Sequence, residues 1–153
     1  MTLTAHFGLT EFLESPTAKA KGIPNEPDAD SLANLERTAA LLEEVRALLG
    51  VPLKVTSGYR SPKLNRAVGG TKGSAHCEGR AADVAPVGLA LKSAFAWIVG
   101  SEIAFDQVII ERTVTGAAWL HIAVAREGAV PRRETLSATG SSGAMTYHRV
   151  AEG

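Results

Sequence analysis

Cysteine is nearly absent: the 153-residue chain has one, Cys77, so no internal disulfide can hold the fold and a hydrophobic core or a metal must do so. Aromatic residues are scarce at 5 %, whereas 45 % of residues are hydrophobic, enough at this length for one compact domain. An excess of either charge is also missing. The 16 Lys+Arg cancel the 16 Asp+Glu, which leaves no field to hold a polyanion and argues against nucleic acid as a partner. No apolar run approaches the roughly 18–20 residues that span a bilayer. Residues 1–15 carry Glu11 and Glu14 where a signal peptide would have a basic start and an apolar core. A product synthesised in the cytoplasm without a signal peptide, and without membrane insertion, is expected.

The strongest periodicity lies in residues 31–49, where Leu32, Leu35, Leu42, Val45 and Leu49 recur at helical steps between a Ser31 cap and the Gly50, Pro52 stop. Before it, residues 3–15 suggest one short helical turn with Thr10 as cap. Residues 16–30, rich in proline and poor in large apolar groups, read as a surface loop. After it, residues 53–56 alternate as a short strand, and Ser61-Pro62 opens a helix that ends before Gly69-Gly70. Residues 80–85 suggest a buried strand, and residues 89–99 a largely buried helix with Phe95 and Trp97 in the core. Residues 105–111 and 118–125 make a hairpin around Thr113-Val114-Thr115-Gly116. From Glu127 onward no period is sustained, so the division expected is a single domain over 1–130 and an irregular or extended tail over 131–153.

Chemistry concentrates in Ser74-Ala75-His76-Cys77-Glu78-Gly79-Arg80-Ala81-Ala82-Asp83 and in Trp119-Leu120-His121-Ile122. Small neighbours let the imidazole of His76 and the carboxylate of Asp83 converge. His121 sits on a strand whose other face is Leu120 and Ile122, so its ring projects away from the core. Two histidines and an aspartate would hold Zn2+ with one position open, which lowers the pKa of bound water and polarises a carbonyl. The alternative from spacing alone is a surface histidine and a half-buried one. Cys77 is read as structural, since a neighbour of a ligand on extended chain points away from it, and His6 and His148 as solvated.

Taken together, Ser57-Gly58-Tyr59-Arg60-Ser61 with Asn65, Ser74-x-His76-x-x-Gly79-x-Ala81-x-Asp83 and Trp119-x-His121 resemble the zinc D-Ala-D-Ala carboxypeptidase and phage endolysin family of metallopeptidases, whose fold group includes the zinc domain of hedgehog. The resemblance runs from about Phe7 to Arg133, and Phe7-x-x-x-Glu11-Phe12, Asn34-Leu35 and Phe105-Asp106-Gln107 point to a phage-encoded carboxypeptidase-like branch. It implies that His76, Asp83 and His121 are the metal ligands, that Arg60 binds the substrate carbonyl and stabilises the oxyanion, and that Ser74 helps bind substrate or orient the site. It further implies hydrolysis of a peptide bond in the stem or crosslink of peptidoglycan, reached by way of a holin or as part of a virion.

One position departs from the pattern. Several members of this group carry a glutamate three residues before the last histidine, and here that residue is Ala118. Glu111 is the candidate base instead: a hairpin turning around Thr115 pairs it with Trp119 and turns it toward the face of His121, whereas a register slip of one would send it to the other face. Asp106 and Gln107 are candidates for orienting a ligand or the substrate. The expected architecture is α+β, with a small, mainly antiparallel sheet that carries the zinc site and is covered on its other face by helices 31–49 and 89–99. The function expected is a zinc-dependent peptidoglycan peptidase. Its rival is a non-catalytic wall-binding or virion structural module that retains the metal site.

Overall fold

The computed structural model describes residues 1–141 and 143–150. Two short helices, α1 (Leu9–Leu13) and α2 (Pro16–Lys21), precede the long α3 (Ala29–Leu49). Then come β1 (Leu53–Ser57), α4 (Pro62–Ala67), a 3-10 turn at Ala75–Glu78, β2 (Ala81–Pro86), α5 (Leu91–Val99), β3 (Gln107–Thr113), β4 (Ala118–Ala123), β5 (Glu134–Ser141) and β6 (Ala144–Arg149). The strands form one six-stranded sheet in the order β1-β2-β4-β3-β5-β6. Every pairing is antiparallel except that of β3 with β5, so the sheet is mixed rather than purely antiparallel.

Alternation assigns the two faces. Ala82, Val84, Val108, Leu120 and Ile122 point to one side and pack with Leu35, Leu42 and Val45 of α3 and Phe95 and Ile98 of α5 in the main core. The expectation that these two helices cover one face therefore holds, and the opposite face is left for chemistry. The cap of α3 lies three residues earlier than Ser31: the Asp28 carboxylate accepts from the Ser31 amide, and Gly50 closes the helix at φ 69°. Ser61 and Pro62 open α4 as expected, with the Ser61 hydroxyl accepting from the Leu64 amide.

Four further expectations need correction. Residues 16–21 are helical, because Ser15 caps the segment through the Ala18 amide and Pro16 sits where no amide is needed. The first helix starts from Gly8, whose amide donates to Glu11, rather than from Thr10. Trp97 is 57 % exposed, since α5 turns Ala94, Phe95 and Ile98 inward and leaves Trp97 outside that stripe. The stretch read as an irregular or extended tail instead adds β5 and β6 to the sheet; residues 142 and 151–153 of that stretch lie outside the described residues. Arg133 secures the crossover into β5, stacking 4.5 Å above the Phe105 ring and donating to the carbonyls of Ser101 and Ile103.

Candidate metal centre

The predicted hairpin register is found: Glu111 stands opposite Trp119, and Ile109 opposite His121. On the other side of β4, His121 is paired with Asp83 of β2. Direct cross-strand partners share a face, so Asp83, His121, Ile109 and Leu136 form one row, with Trp119, Glu111, Ala138 and Tyr147 in the next. Ala118 is paired with Arg112 in the row between faces opposite to these, so a carboxylate at 118 would point away from the site in this register.

His76 arrives from the 3-10 turn. The Ser74 hydroxyl accepts from the His76 amide, and Gly79 closes the turn at φ 74°. A Cβ on Gly79 would overlap the Ser31 carbonyl, so glycine also lets the turn pack against α3. The His76 Nδ1 lies 2.7 Å from the Gly58 carbonyl, which can only accept; the ring therefore carries its proton there and presents the Nε2 lone pair. That Nε2 is 3.3 Å from Asp83 Oδ1, and His121 Nδ1 is 3.1 Å from the same oxygen. The three ligand atoms lie within 4.8 Å of one another and all three residues are buried. Burial pushes the His76 imidazole below its ordinary pKa despite the pull of Asp83 in the other direction. Burial alone would raise the Asp83 carboxyl, but the two imidazoles outweigh it and hold the group well below the usual carboxylate range. A buried anion flanked by two lone-pair nitrogens is a donor set for a divalent metal.

Arg60 borders this centre. Its Nη2 is 3.4 Å from Asp83 Oδ2, its Nε donates to the Ser57 hydroxyl and its Nη1 to Asn65 Oδ1, while Asn65 donates in turn to the Thr71 carbonyl. The backbone around Arg60 is clamped by Asn25, which donates to the Leu13 and Tyr59 carbonyls and accepts from the Ser61 amide. The Arg60 amide donates to the His76 carbonyl, tying the arginine to the ligand loop.

All of these open into one cleft of about 880 Å³, which Arg60, Ser74, His76, Asp83, Gln107, Glu111 and His121 line. Glu111 is partly buried, and burial together with the charge of Asp83 raises its carboxyl above the ordinary glutamate value. Gln107 donates to Glu134 at 2.6 Å. Asp106 pairs with Arg132, not with a histidine, so a ligand-orienting role for it is not supported. Cys77 is no member of the ligand cluster, and burial raises its thiol. His148 is exposed, whereas His6 is paired with Glu43 at 2.7 Å and so is not merely solvated.

Sequence reasoning passed over Asn65 as a support of Arg60, and Met145 and Tyr147 as cleft residues. A serine or threonine pattern with two glycines carries too little hydrophobic alternation to mark strands, which is why the latter two were invisible. No helix among the described residues is long and apolar enough to cross a membrane.

Among curated proteins, no sequence matches this one. The model of the family described as Peptidase M15 matches residues 5–123, a span that begins before α1, ends with β4 and includes Arg60, all three ligand candidates and Glu111. A match over most of the chain, joined to a buried His-Asp-His cluster in an open cleft, means that the chain belongs to the peptidase M15 family of metallopeptidases.

Proposed function

We propose that the protein is a zinc-dependent peptidase that hydrolyses a peptide bond in bacterial peptidoglycan, as a D-Ala-D-Ala carboxypeptidase-like enzyme or an endolysin-type endopeptidase. The observation that carries the reading is the juxtaposition of the ligand cluster with Arg60 and Glu111 on the walls of one cleft. Zinc fits the donor set: ligands about 2.1 Å from a tetrahedral ion stand about 3.4 Å apart, the two histidine nitrogens lie 3.1 and 3.3 Å from Asp83 Oδ1, and all three atoms lie within 4.8 Å of one another. Bound there, zinc would supply a Lewis acid for the scissile carbonyl and a more acidic water.

The chain's own residues account for the rest. Of the five N–H groups of a guanidinium, Arg60 commits three to Ser57, Asn65 and Asp83, which fixes its plane and leaves donors for a carbonyl oxygen as it gains charge. Glu111 is a diagonal neighbour of His121 across β3 and β4, a backbone separation of roughly 7–8 Å. Its carboxylate takes the proton of the attacking water and delivers it to the leaving amine. Ser74 holds the ligand turn through the His76 amide and, with Gln107, lines the cleft as a substrate contact. A phage or prophage context, with access to the wall through a holin or within a virion, belongs to the same proposal.

Metal content of the wild type and of His76→Ala, with mass spectrometry of digested peptidoglycan, tests the reading. About one zinc per chain, lost in the variant, and new muropeptide ends are expected. In Glu111→Gln, zinc should stay while turnover falls by about 10²–10⁴-fold. Undiminished activity in Glu111→Gln would refute the base; zinc without cleavage in the wild type would refute the enzyme and favour a wall-binding or virion module.

A further inference from the structure

The family match ends at residue 123, yet the sheet continues, and β5 and β6 lay their side chains on the face that carries the metal centre. Tyr147 stands in the same cross-strand row as Glu111, separated from it only by the small Ala138. Ala138 is itself buried, so its neighbours lean over it. Tyr147 is 48 % exposed and lines the cleft together with Met145, its neighbour two positions earlier on the same face. Burial and the charges of Glu111 and Asp83 raise its phenol above the ordinary value, which agrees with a ring turned toward the centre rather than away from it.

The hairpin also reaches across. A Cβ placed on Gly143, at the turn between β5 and β6, would lie 3.6 Å from the Gly69 carbonyl, in the turn that follows α4. Chain from the β6 edge of the sheet thus meets chain from the β1 side, and the two bound one end of the cleft. Among the described residues that line the cleft near Glu111 and the hairpin, Gly69, Thr113, Gly143, Met145 and Tyr147 are uncharged. Beside the Glu111 carboxylate, such a wall penalises an anionic side chain, which would lose water without gaining a cationic partner.

We propose that the β5–β6 hairpin builds a neutral substrate subsite on the Glu111 side of the metal centre, in which Tyr147 and Met145 contact a small apolar residue adjoining the scissile bond. The subsite rests on the peptidase reading above and adds the part of the molecule that decides which peptide is accepted. The approach of Gly143 to Gly69 closes its end, and the tyrosine ring supplies a flat apolar contact at little cost in rotamer entropy.

The experiment uses the zinc-loaded enzyme with a muropeptide fragment as substrate. Tyr147→Ala and Met145→Ala should each raise KM about tenfold, the loss of one good apolar contact, with kcat and zinc content kept. Tyr147→Phe should keep the wild-type KM, because the ring and not the hydroxyl makes the contact. Replacing the small apolar residue of the fragment by glutamate should abolish cleavage by the wild type and be partly rescued by Met145→Lys. Unchanged KM in both alanine variants, or no rescue by Met145→Lys, overturns the subsite while wild-type cleavage keeps the peptidase reading. A wild type that neither cleaves nor binds the fragment overturns both.

Discussion

Gly70→Ala tests how Arg60 is held without substituting a proposed ligand, the proposed base or the arginine itself. A Cβ on Gly70 would overlap Asn65 Oδ1, come within 2.7 Å of Asn65 Cγ and lie 3.0 Å from Arg60 Nη1. Asn65 is 4 % exposed and is the residue that joins Arg60 to the Thr71 carbonyl, so the methyl group must drive its amide off both partners. A hydrogen bond to a charged group is worth about 1.5–3 kcal/mol. If that amount is what orients the guanidinium, kcat/KM should fall by roughly 10- to 150-fold. The displaced, buried amide adds a stability loss of about 1–3 kcal/mol, or roughly 2–12 °C in Tm for a domain of this size. Steady-state kinetics on a muropeptide, a thermal melt and zinc content of the same preparation are the assay. Zinc should be unchanged, since the His76, Asp83 and His121 atoms are not displaced. A variant with wild-type kcat/KM and a lowered Tm would refute the reasoning, because Asn65 would then be stabilising the fold without positioning Arg60.

Two further outcomes follow from the fold. Arg132 hydrogen bonds outweigh burial and hold the Asp106 carboxyl below its ordinary value, so the pair's contribution is full above the unfolded value of about 3.9 and is lost as pH falls through the folded one. The Tm difference between wild type and Asp106→Asn should therefore be largest near neutrality and shrink below about pH 4; a difference that grew on acidification would contradict the pairing. On α5, Ile98→Ala should cost about 2–5 kcal/mol in chemical denaturation, whereas Trp97→Ala should stay within roughly 0.5 kcal/mol. The first side chain is fully buried and the second exposed, and the reverse order of losses would mean that the helix is rotated about its axis.

Much of this molecule can be read from its residues, and the boundary between legible and illegible has physical causes. The helix α3 announces itself because its apolar stripe is long and stopped by Gly50. The register of β3 on β4 follows from a short turn, and with it the side on which Glu111 falls, because a tight hairpin leaves little freedom to slip. That His76, Asp83 and His121 could converge is legible through histidines and an aspartate set among small residues. What escaped depends on distant partners. The strand β5 is specified by β3, which it meets in parallel after a crossover, and neither its Ser and Thr content nor its glycine signals that docking. Trp97 was misread because a short, strongly apolar helix does not declare which side will face the core. Asn65 and Asn25 are polar residues whose work is to satisfy backbone and guanidinium groups far along the chain, and no local pattern reports this.

The Asn25 clamp has a consequence for how the molecule opens. The side chain joins two segments, at Leu13 and at Tyr59 and Ser61, and the Tyr59 amide adds a bond to the Phe12 carbonyl. Gly58 is pressed so closely against Phe12 that a Cβ there would strike its backbone, and the same Gly58 offers its carbonyl to His76. The first turn of the chain and His76 thus belong to one cooperative unit: the Tyr59 and Ser61 amides, held by the Phe12 carbonyl and the Asn25 side chain, should exchange with solvent when the segment of residues 12–25 lifts, and each such opening should loosen the Gly58 carbonyl that holds the His76 ring. A protease that nicks the chain near its start would consequently loosen the His76, Asp83 and His121 cluster while leaving all three residues in place.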